Sequence, residues 1–251
     1  MMKYLFINLM FFLMACAQNN GPSIPSGASM ILDADTLSGT SSPTGTCNFT
    51  AFGDSSGNNN NGTINCASGG GFAGTKTSSD PNRIVFNGNS TFISTTLNAQ
   101  SGVMPNSTWV AWIKPNATTF SHIFSLDNHG GAFNRSLVID NTTADFGVFN
   151  RFNNTWITTA VDVGAWQFVA VTFSATDLTF HKNGTTAIFG NAPAYVDTAQ
   201  AFTIGRSAGG SFDYFNGAIA WMAVYPRILN PSEINSACRA LLSRFAGATC
   251  N

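Results

Sequence analysis

The chain has 251 residues, of which only 9% are charged, with a formal net charge of −1 and 12% aromatic residues. Soluble domains usually carry about 25% charged residues, so the water-facing polarity here must come from neutral Asn, Thr, Ser and Gly. No run of Lys or Arg occurs, which argues against a nucleic-acid partner, because phosphates need clustered cations. The length suits one all-β sandwich, a class that runs to ~200–250 residues.

Residues 1–15 (MMKYLFINLMFFLMA) read as a signal peptide. Lys3 is the charged start, and the apolar stretch after it is far shorter than the ~20 residues a spanning helix needs. The segment ends in Leu13-Met14-Ala15-Cys16. This resembles the lipobox of bacterial lipoproteins, which implies lipidation of Cys16. An ordinary secretory cut after Ala15 or Ala17 is the other reading. Ala17 rather than Asp follows the cysteine, which by the same resemblance implies the outer membrane or cell surface. The membrane is then met only through the lipid. Residues 16–27 are the lipidated Cys16 and a flexible Pro/Gly/Ser tether, and residues 28–251 are the domain.

Four more cysteines follow Cys16. In an exported chain they read as disulfides. Three pairings exist, and the local one is Cys47–Cys66 with Cys238–Cys250. No C-x-x-C spacing occurs, so neither a zinc ribbon nor a thioredoxin-type site is supported.

Residues 29–34 (SMILDA) form the first strand candidate. Residues 53–63 (GDSSGNNNNGT) then carry side chains that bond their own backbone and tolerate positive φ. Two readings are open. One is a tight structural loop. The other is a calcium site built on Asp54 and Asn58, since Ca²⁺ takes 6–8 oxygen ligands. Residues 83–87 (RIVFN), 90–94 (STFIS) and 108–115 (TWVAWIKP) are strands, followed by short strands at 120–127, 136–140 and 146–152. Residues 166–174 (WQFVAVTFS) alternate regularly and pair with 178–183. His181 alternates outward from Leu178 and Phe180, which predicts surface exposure.

Residues 217–225 form a long strand, apolar on both faces as in a covered sheet. Strict alternation puts Ile219, Trp221, Ala223 and Tyr225 on one face and Ala218, Ala220, Met222 and Val224 on the other. Pro226 ends it. Asn230-Pro231-Ser232-Glu233 starts a helix, with Asn as N-cap, Pro in the first position and Glu in the third. Residues 231–245 continue with Ile234, Ala237, Cys238, Leu241, Leu242 and Phe245 on one face. Trp109, Trp112, Trp166 and Trp221 lie in strands and read as core.

Five stretches in consistent order resemble LamG-type (laminin G-like, concanavalin A-like) domains: DSSGNNNNGT, RIVFN with STFIS, TWVAWIKP, GAWQFVAVTFSATDLTFHKNG and FNGAIAWMAVYPRILNPSEI. The resemblance covers about residues 28–236 and implies a two-sheet antiparallel jelly-roll sandwich with a short C-terminal helix. It departs from the family where Ala220 and Trp221 replace an acidic pair and Gln167 replaces a His.

Catalysis has little to stand on. There are eleven Asp and one Glu among the 12 acidic residues. A glycosidase needs two carboxyls ~5 Å apart on one face, yet Glu233 sits at a helix start and Asp140 and Asp145 straddle a turn. Binding is the better reading, with residues on rim loops over a rigid scaffold. The candidates are Asp127, Asn128, His129, Phe133 and Arg135 in one loop, Asn153, Asn154 and Trp156 in a second, and Ser211, Asp213 and Tyr214 in a third. The expected function is a surface-anchored, non-catalytic binding or adhesion module for a glycan or an extracellular or envelope protein. A carbohydrate-active enzyme and a purely structural envelope protein are the alternatives.

Overall fold

The computed structural model of the chain describes residues 21–37, 51–66, 69–73, 80–128, 134–148, 155–190, 197 and 201–251. For residues 155, 156 and 187–190 it describes the backbone only. In chain order the strands are β1 (Met30–Asp33), β2 (Ala51–Phe52), β3 (Gly62–Asn65), β4 (Gly71–Ala73), β5 (Arg83–Asn87), β6 (Phe92–Thr95), β7 (Ser107–Pro115) and β8 (Ser121–Ser125). They continue as β9 (Ser136–Ile139), β10 (Asp145–Val148), β11 (Thr155–Ala160), β12 (Gln167–Phe173), β13 (Asp177–Lys182), β14 (Thr185–Gly190), β15 (Thr203–Ile204) and β16 (Asn216–Tyr225). Helix α1 (Pro231–Leu241) follows, then a short 3₁₀ turn at Leu242–Arg244.

The strands form two antiparallel sheets. Sheet A runs β14-β13-β12-β7-β16-β5-β4, with β1 also on β16. Sheet B runs β11-β10-β9-β8-β15-β6-β3-β2. Strands β5 and β1 succeed each other along one edge of β16: Ile219 pairs with Ile84, and Trp221 with Asp33. The expected jelly-roll sandwich with a C-terminal helix is therefore what forms.

Two apolar layers hold it. The inner layer, between the sheets, includes Trp109, Phe124, Phe146, Val171, Phe173, Phe180 and Ile204. The outer layer lies between sheet A and α1, and includes Trp112, Trp166, Phe168, Trp221, Tyr225, Ile234 and Phe245. Phe245 stacks on Trp112 with ring centroids 4.1 Å apart. Trp109, Trp112 and Trp221 lie in strands and Trp166 just before β12, and all four are buried, as expected. Sheet A is thus covered on both faces, which is why β7, β12 and β16 read as continuous apolar runs.

One register differs from strict alternation. The pairing of β16 with β7 shifts between Ile219 and Trp221. Ile219 therefore joins Met222 and Val224 in the inner layer, while Ala218, Ala220, Trp221 and Ala223 face the helix. A bulge adds one residue and turns the side chains beyond it over.

Helix α1 begins as the sequence predicts. The Asn230 side chain accepts from the Glu233 N–H, and Glu233 accepts from the Asn230 N–H, both at 2.9 Å. Glu233 also forms a two-point pair with Arg227 at 2.7 and 3.0 Å, which holds its carboxyl below the usual range. Cys238 and Cys250 form the expected disulfide. Cys66 is disulfide-bonded, and its expected partner Cys47 lies outside the described residues. Between β13 and β14, Asn183 and Gly184 have φ of 50° and 88°, the conformation an Asn-Gly hairpin turn requires. The C-terminal Asn251 N–H donates to the Asn183 carbonyl at 2.9 Å.

The segment expected to be free tether is docked from Ser23 onward. Ser23 and Ser236 exchange two hydrogen bonds of 2.9 Å. The Tyr225 hydroxyl donates to the Pro25 carbonyl at 3.1 Å, and Arg227 donates to that of Ser26 at 3.3 Å. Ile24 packs on the outer layer. Polar composition suggests a linker, but here the backbone carbonyls find donors on β16 and α1. Cys16 and the signal peptide lie outside the described residues.

Candidate functional site

Loop 205–215 meets residues 126–128 on the rim at β8. The Asp127 carbonyl accepts from the Gly209 N–H at 2.7 Å and from Ser207 Oγ at 3.2 Å. The Asp127 and Ala208 N–H groups both donate to Ser125 Oγ, at 3.0 and 3.2 Å. A Cβ on Gly209 would fall 2.4 Å from the Asn128 carbonyl oxygen, so only glycine permits the approach. The Asn128 side chain accepts from Asn134 Nδ2 at 2.7 Å.

This contact reassigns two expected ligand residues. Asp127 is 1% exposed and Arg135 0%. The Arg135 guanidinium pairs with Asp197 at 2.7 Å and donates to the Ala99 and Met104 carbonyls and to Ser107 Oγ. It also lies over the Trp109 and Phe173 rings at 5.6 and 5.4 Å. It is an internal anchor, and a ligand does not reach it. Trp156 is on β11, paired with Gly147, rather than in a loop, and its side chain is not described. His129, Phe133, Asn153 and Asn154 lie outside the described residues.

Asp213 and Tyr214 do reach a surface, the outward face of sheet B. Asp213 has a φ of 57°. Its carbonyl accepts from the His122 N–H at 3.0 Å, and its carboxylate lies 3.7 Å from His122 Nε2. Tyr214 sits beside Phe92, with ring centroids 6.4 Å apart. The Arg206 guanidinium lies 3.5 Å above the Phe92 ring and donates to Ser211 Oγ at 3.2 Å. Asn65 is the cross-strand partner of Phe92, and its amide donates to Ser94 Oγ at 3.1 Å. Phe212, next to Asp213 in the chain, is 37% exposed. The patch thus combines flat rings, a stacked guanidinium, a carboxylate and an amide. Rings offer faces for C–H contacts, and the polar groups bond hydroxyls.

Sequence reasoning missed Phe92, Arg206 and Asn65. The signal was present in STFIS: Phe92 and Ser94 fall on one face, opposite Ile93 and Thr95. Arg206 directly follows the strand-ending Ile204-Gly205.

Loop 53–61, the calcium candidate, is organised by Asp54. Its Oδ1 accepts from the Ile31 and Ser56 N–H groups, and its Oδ2 from Ser56 Oγ and the Asn60 N–H, at 2.8–2.9 Å. Burial pushes this carboxyl up, but those donors outweigh it and the pKa lies below 3.8. Asn58 turns its amide nitrogen, not its oxygen, to the Ala28 carbonyl and Ser56 Oγ, at 2.8 and 3.0 Å. Both carboxylate oxygens face donors, so a cation would have to displace four hydrogen bonds. These residues do not fit a calcium cage. Among the described residues no group of three or more His, Cys, Asp or Glu side chains could hold a metal ion.

Two packed antiparallel sheets capped by one helix define a lectin-like β-sandwich. Residues 87–235 match the Laminin G 3 family model, described as the concanavalin A-like lectin/glucanases superfamily. That is more than half of the 251-residue chain, and the chain belongs to this family. Comparison with curated proteins found no match. Among solved structures, the chain is similar to domain 4 of AbnA, an extracellular GH43 arabinanase from Geobacillus stearothermophilus, in complex with arabinotriose. The TM-score is 0.61 at 19% identity, over 83% of this chain and 97% of that one. It is also similar to the Trypanosoma rangeli sialidase bound to the inhibitor DANA, with a TM-score of 0.61 at 15% identity over 89% of this chain. There it spans only 34% of the other protein. These likenesses establish a shared fold.

Proposed function

We propose that this chain is an exported, lipid-anchored binding module that recognises a glycan through the outward face of sheet B. The observation that carries the reading is the patch of Phe92, Arg206, Asp213 and Tyr214, in which the Arg206 guanidinium stacks over Phe92 and the Tyr214 ring stands tilted beside it. The arabinotriose complex of the similar domain is in keeping with it. The signal segment and the Leu13-Met14-Ala15-Cys16 motif support export and anchoring at a bacterial outer membrane or cell surface.

A binding role without catalysis is supported by four of the acidic groups, which have structural partners. Glu233 is held by Arg227 and the helix N-terminus, Asp197 by Arg135, and Asp162 by Lys182. Asp140 accepts from the backbone and hydroxyls of Thr142 and Thr143. A glycan array probed with the purified protein tests the reading. Tyr214→Ala and Arg206→Gln should each weaken the strongest hit at least tenfold. Unchanged affinity in both variants removes this face as the site. Loss of lipid labelling in Cys16→Ser tests the anchor.

A further inference from the structure

Residues 23–26 are fixed beside α1 and β16 by Ser236, Tyr225 and Arg227, and the Ser29 N–H donates to the Val224 carbonyl at 2.7 Å. The N-terminal segment therefore leaves the domain at Pro22, on the α1 side of sheet A. A groove there is lined by Pro22, Pro231, Ser232, Asn235, Arg239 and Asn251. The outward face of sheet B, with Phe92 and Tyr214, is on the other side of the molecule, behind sheet A and the inner layer.

The docking of that segment shortens the link to Cys16. Only residues 17–21 separate Cys16 from Pro22, and such a link spans no more than about 20 Å even when fully extended. A domain of this length has a radius of gyration of about 17 Å and is about 45 Å across. A lipid on Cys16 thus keeps the Pro22 flank at the bilayer and keeps sheet B from turning to it. With residues 23–27 free, as their composition suggests, the link would extend to about 40 Å, nearly the width of the domain, and either face would reach the surface.

The side chains of this flank suit a lipid surface. Ile228 is 40% exposed, and Pro22 and Pro231 are exposed too. Arg239 is exposed, with its Nε donating to Asn235 Oδ1 at 2.7 Å, and a guanidinium matches phosphate oxygens. The acidic side chain of α1, Glu233, is already paired with Arg227 at 2.7 Å, so its charge does little to repel an anionic bilayer. We infer that the α1 flank is the membrane-facing surface of the protein. Pro22, Ile228 and Pro231 rest on the headgroup layer, Arg239 meets lipid phosphate, and the Phe92–Tyr214 patch points away from the membrane. This orientation rests on the lipid-anchor reading of Cys16.

The test couples the processed chain, beginning at Cys16, to a maleimide-headgroup lipid through that cysteine. Cys66, Cys238 and Cys250 are disulfide-bonded and do not compete. The product is placed in nanodiscs of phosphatidylethanolamine and phosphatidylglycerol that carry a gadolinium-chelate lipid, and the relaxation enhancement of backbone amides is read by NMR. Coupling supplies the anchor, so the outcome bears on the orientation alone, while lipid labelling of Cys16 in cells decides the anchor. The amides of Ile228, Ser232 and Arg239 should be enhanced at least tenfold more than those of Phe92, Arg206 and Tyr214. Ile228→Ser combined with Arg239→Gln should lower the enhancement at Ser232 at least twofold, at unchanged melting temperature. The inference is overturned if the two groups of amides are enhanced alike, if sheet B is enhanced more, or if the double variant leaves the enhancement at Ser232 unchanged.

Discussion

The Arg135 guanidinium is enclosed at one end of the inner layer, its charge met by Asp197 and its remaining donors by backbone carbonyls. Both side chains of that pair are 0% exposed. Arg135→Met therefore leaves an uncompensated carboxylate in the core, and one-sided loss of a buried pair costs about 3–5 kcal/mol. Urea unfolding should show a lower midpoint at unchanged slope. Adding Asp197→Leu should recover a large part of the loss; a loss no greater than about 0.5 kcal/mol in the single variant, the size of an ordinary surface change, would contradict the anchor role. Asp54 is a milder case, half-buried and holding three backbone N–H groups and one hydroxyl. Asp54→Ala frees those donors and should lower stability by about 2 kcal/mol. The loss should be equal with Ca²⁺ and with a chelator. A melting temperature that rises with Ca²⁺ in the parent and not in the variant would restore the metal reading.

At the scale of elements, α1 has little stability of its own, since an isolated helix of its 11 residues is marginal in water. Its place is set by the capping box at one end and by Phe245 stacked on Trp112 at the other. Phe245→Ala opens a cavity under the helix and should cost about 3–5 kcal/mol, read as a fall in thermal midpoint. A change of less than about 1 kcal/mol would mean that the helix is not held by this contact. What was legible here follows from how local each signal is. The Asn-Pro-Ser-Glu cap and the β5 and β12 strands are each encoded within a few residues. The bulge between Ile219 and Trp221 is not, because two apolar faces give alternation nothing to mark the slip. Strands β4 and β14 are short or polar and are fixed by their neighbours. The site was legible in part for the same reason. Asp213 and Tyr214 stand out in a glycine-rich loop, but only the fold brings Arg206 over Phe92, and only the fold buries Arg135 in a loop whose composition suggests solvent.

For the whole molecule, the test of this covering of sheet A is the pH dependence of stability. Alternation places His181 outward, which for a single solvated sheet would mean an exposed imidazole of ordinary pKa. The fold instead buries it, and burial lowers its pKa from 6.5 to about 4. A depressed imidazole favours the neutral form in the fold. Its contribution is therefore complete above pH 6.5 and is lost as pH falls toward 4, where the unfolded chain binds the extra proton. Asp54, Asp140 and Glu233 also have lowered values, each carboxylate favoured by donors. They lose their stabilisation on acidification too, but only as pH falls through folded values that lie below 3.8, 3.8 and 4.5 respectively. The two windows separate the causes. Between pH 6.5 and 4, unfolding free energy should fall by about 2–3 kcal/mol through His181, at up to about 1.4 kcal/mol per pH unit. His181→Gln keeps a polar partner for Thr186 but does not titrate, so its stability should be nearly flat in that window and still fall below it. A His181→Gln curve with the parent's slope between pH 6.5 and 4 would mean that the imidazole is solvated in the folded chain.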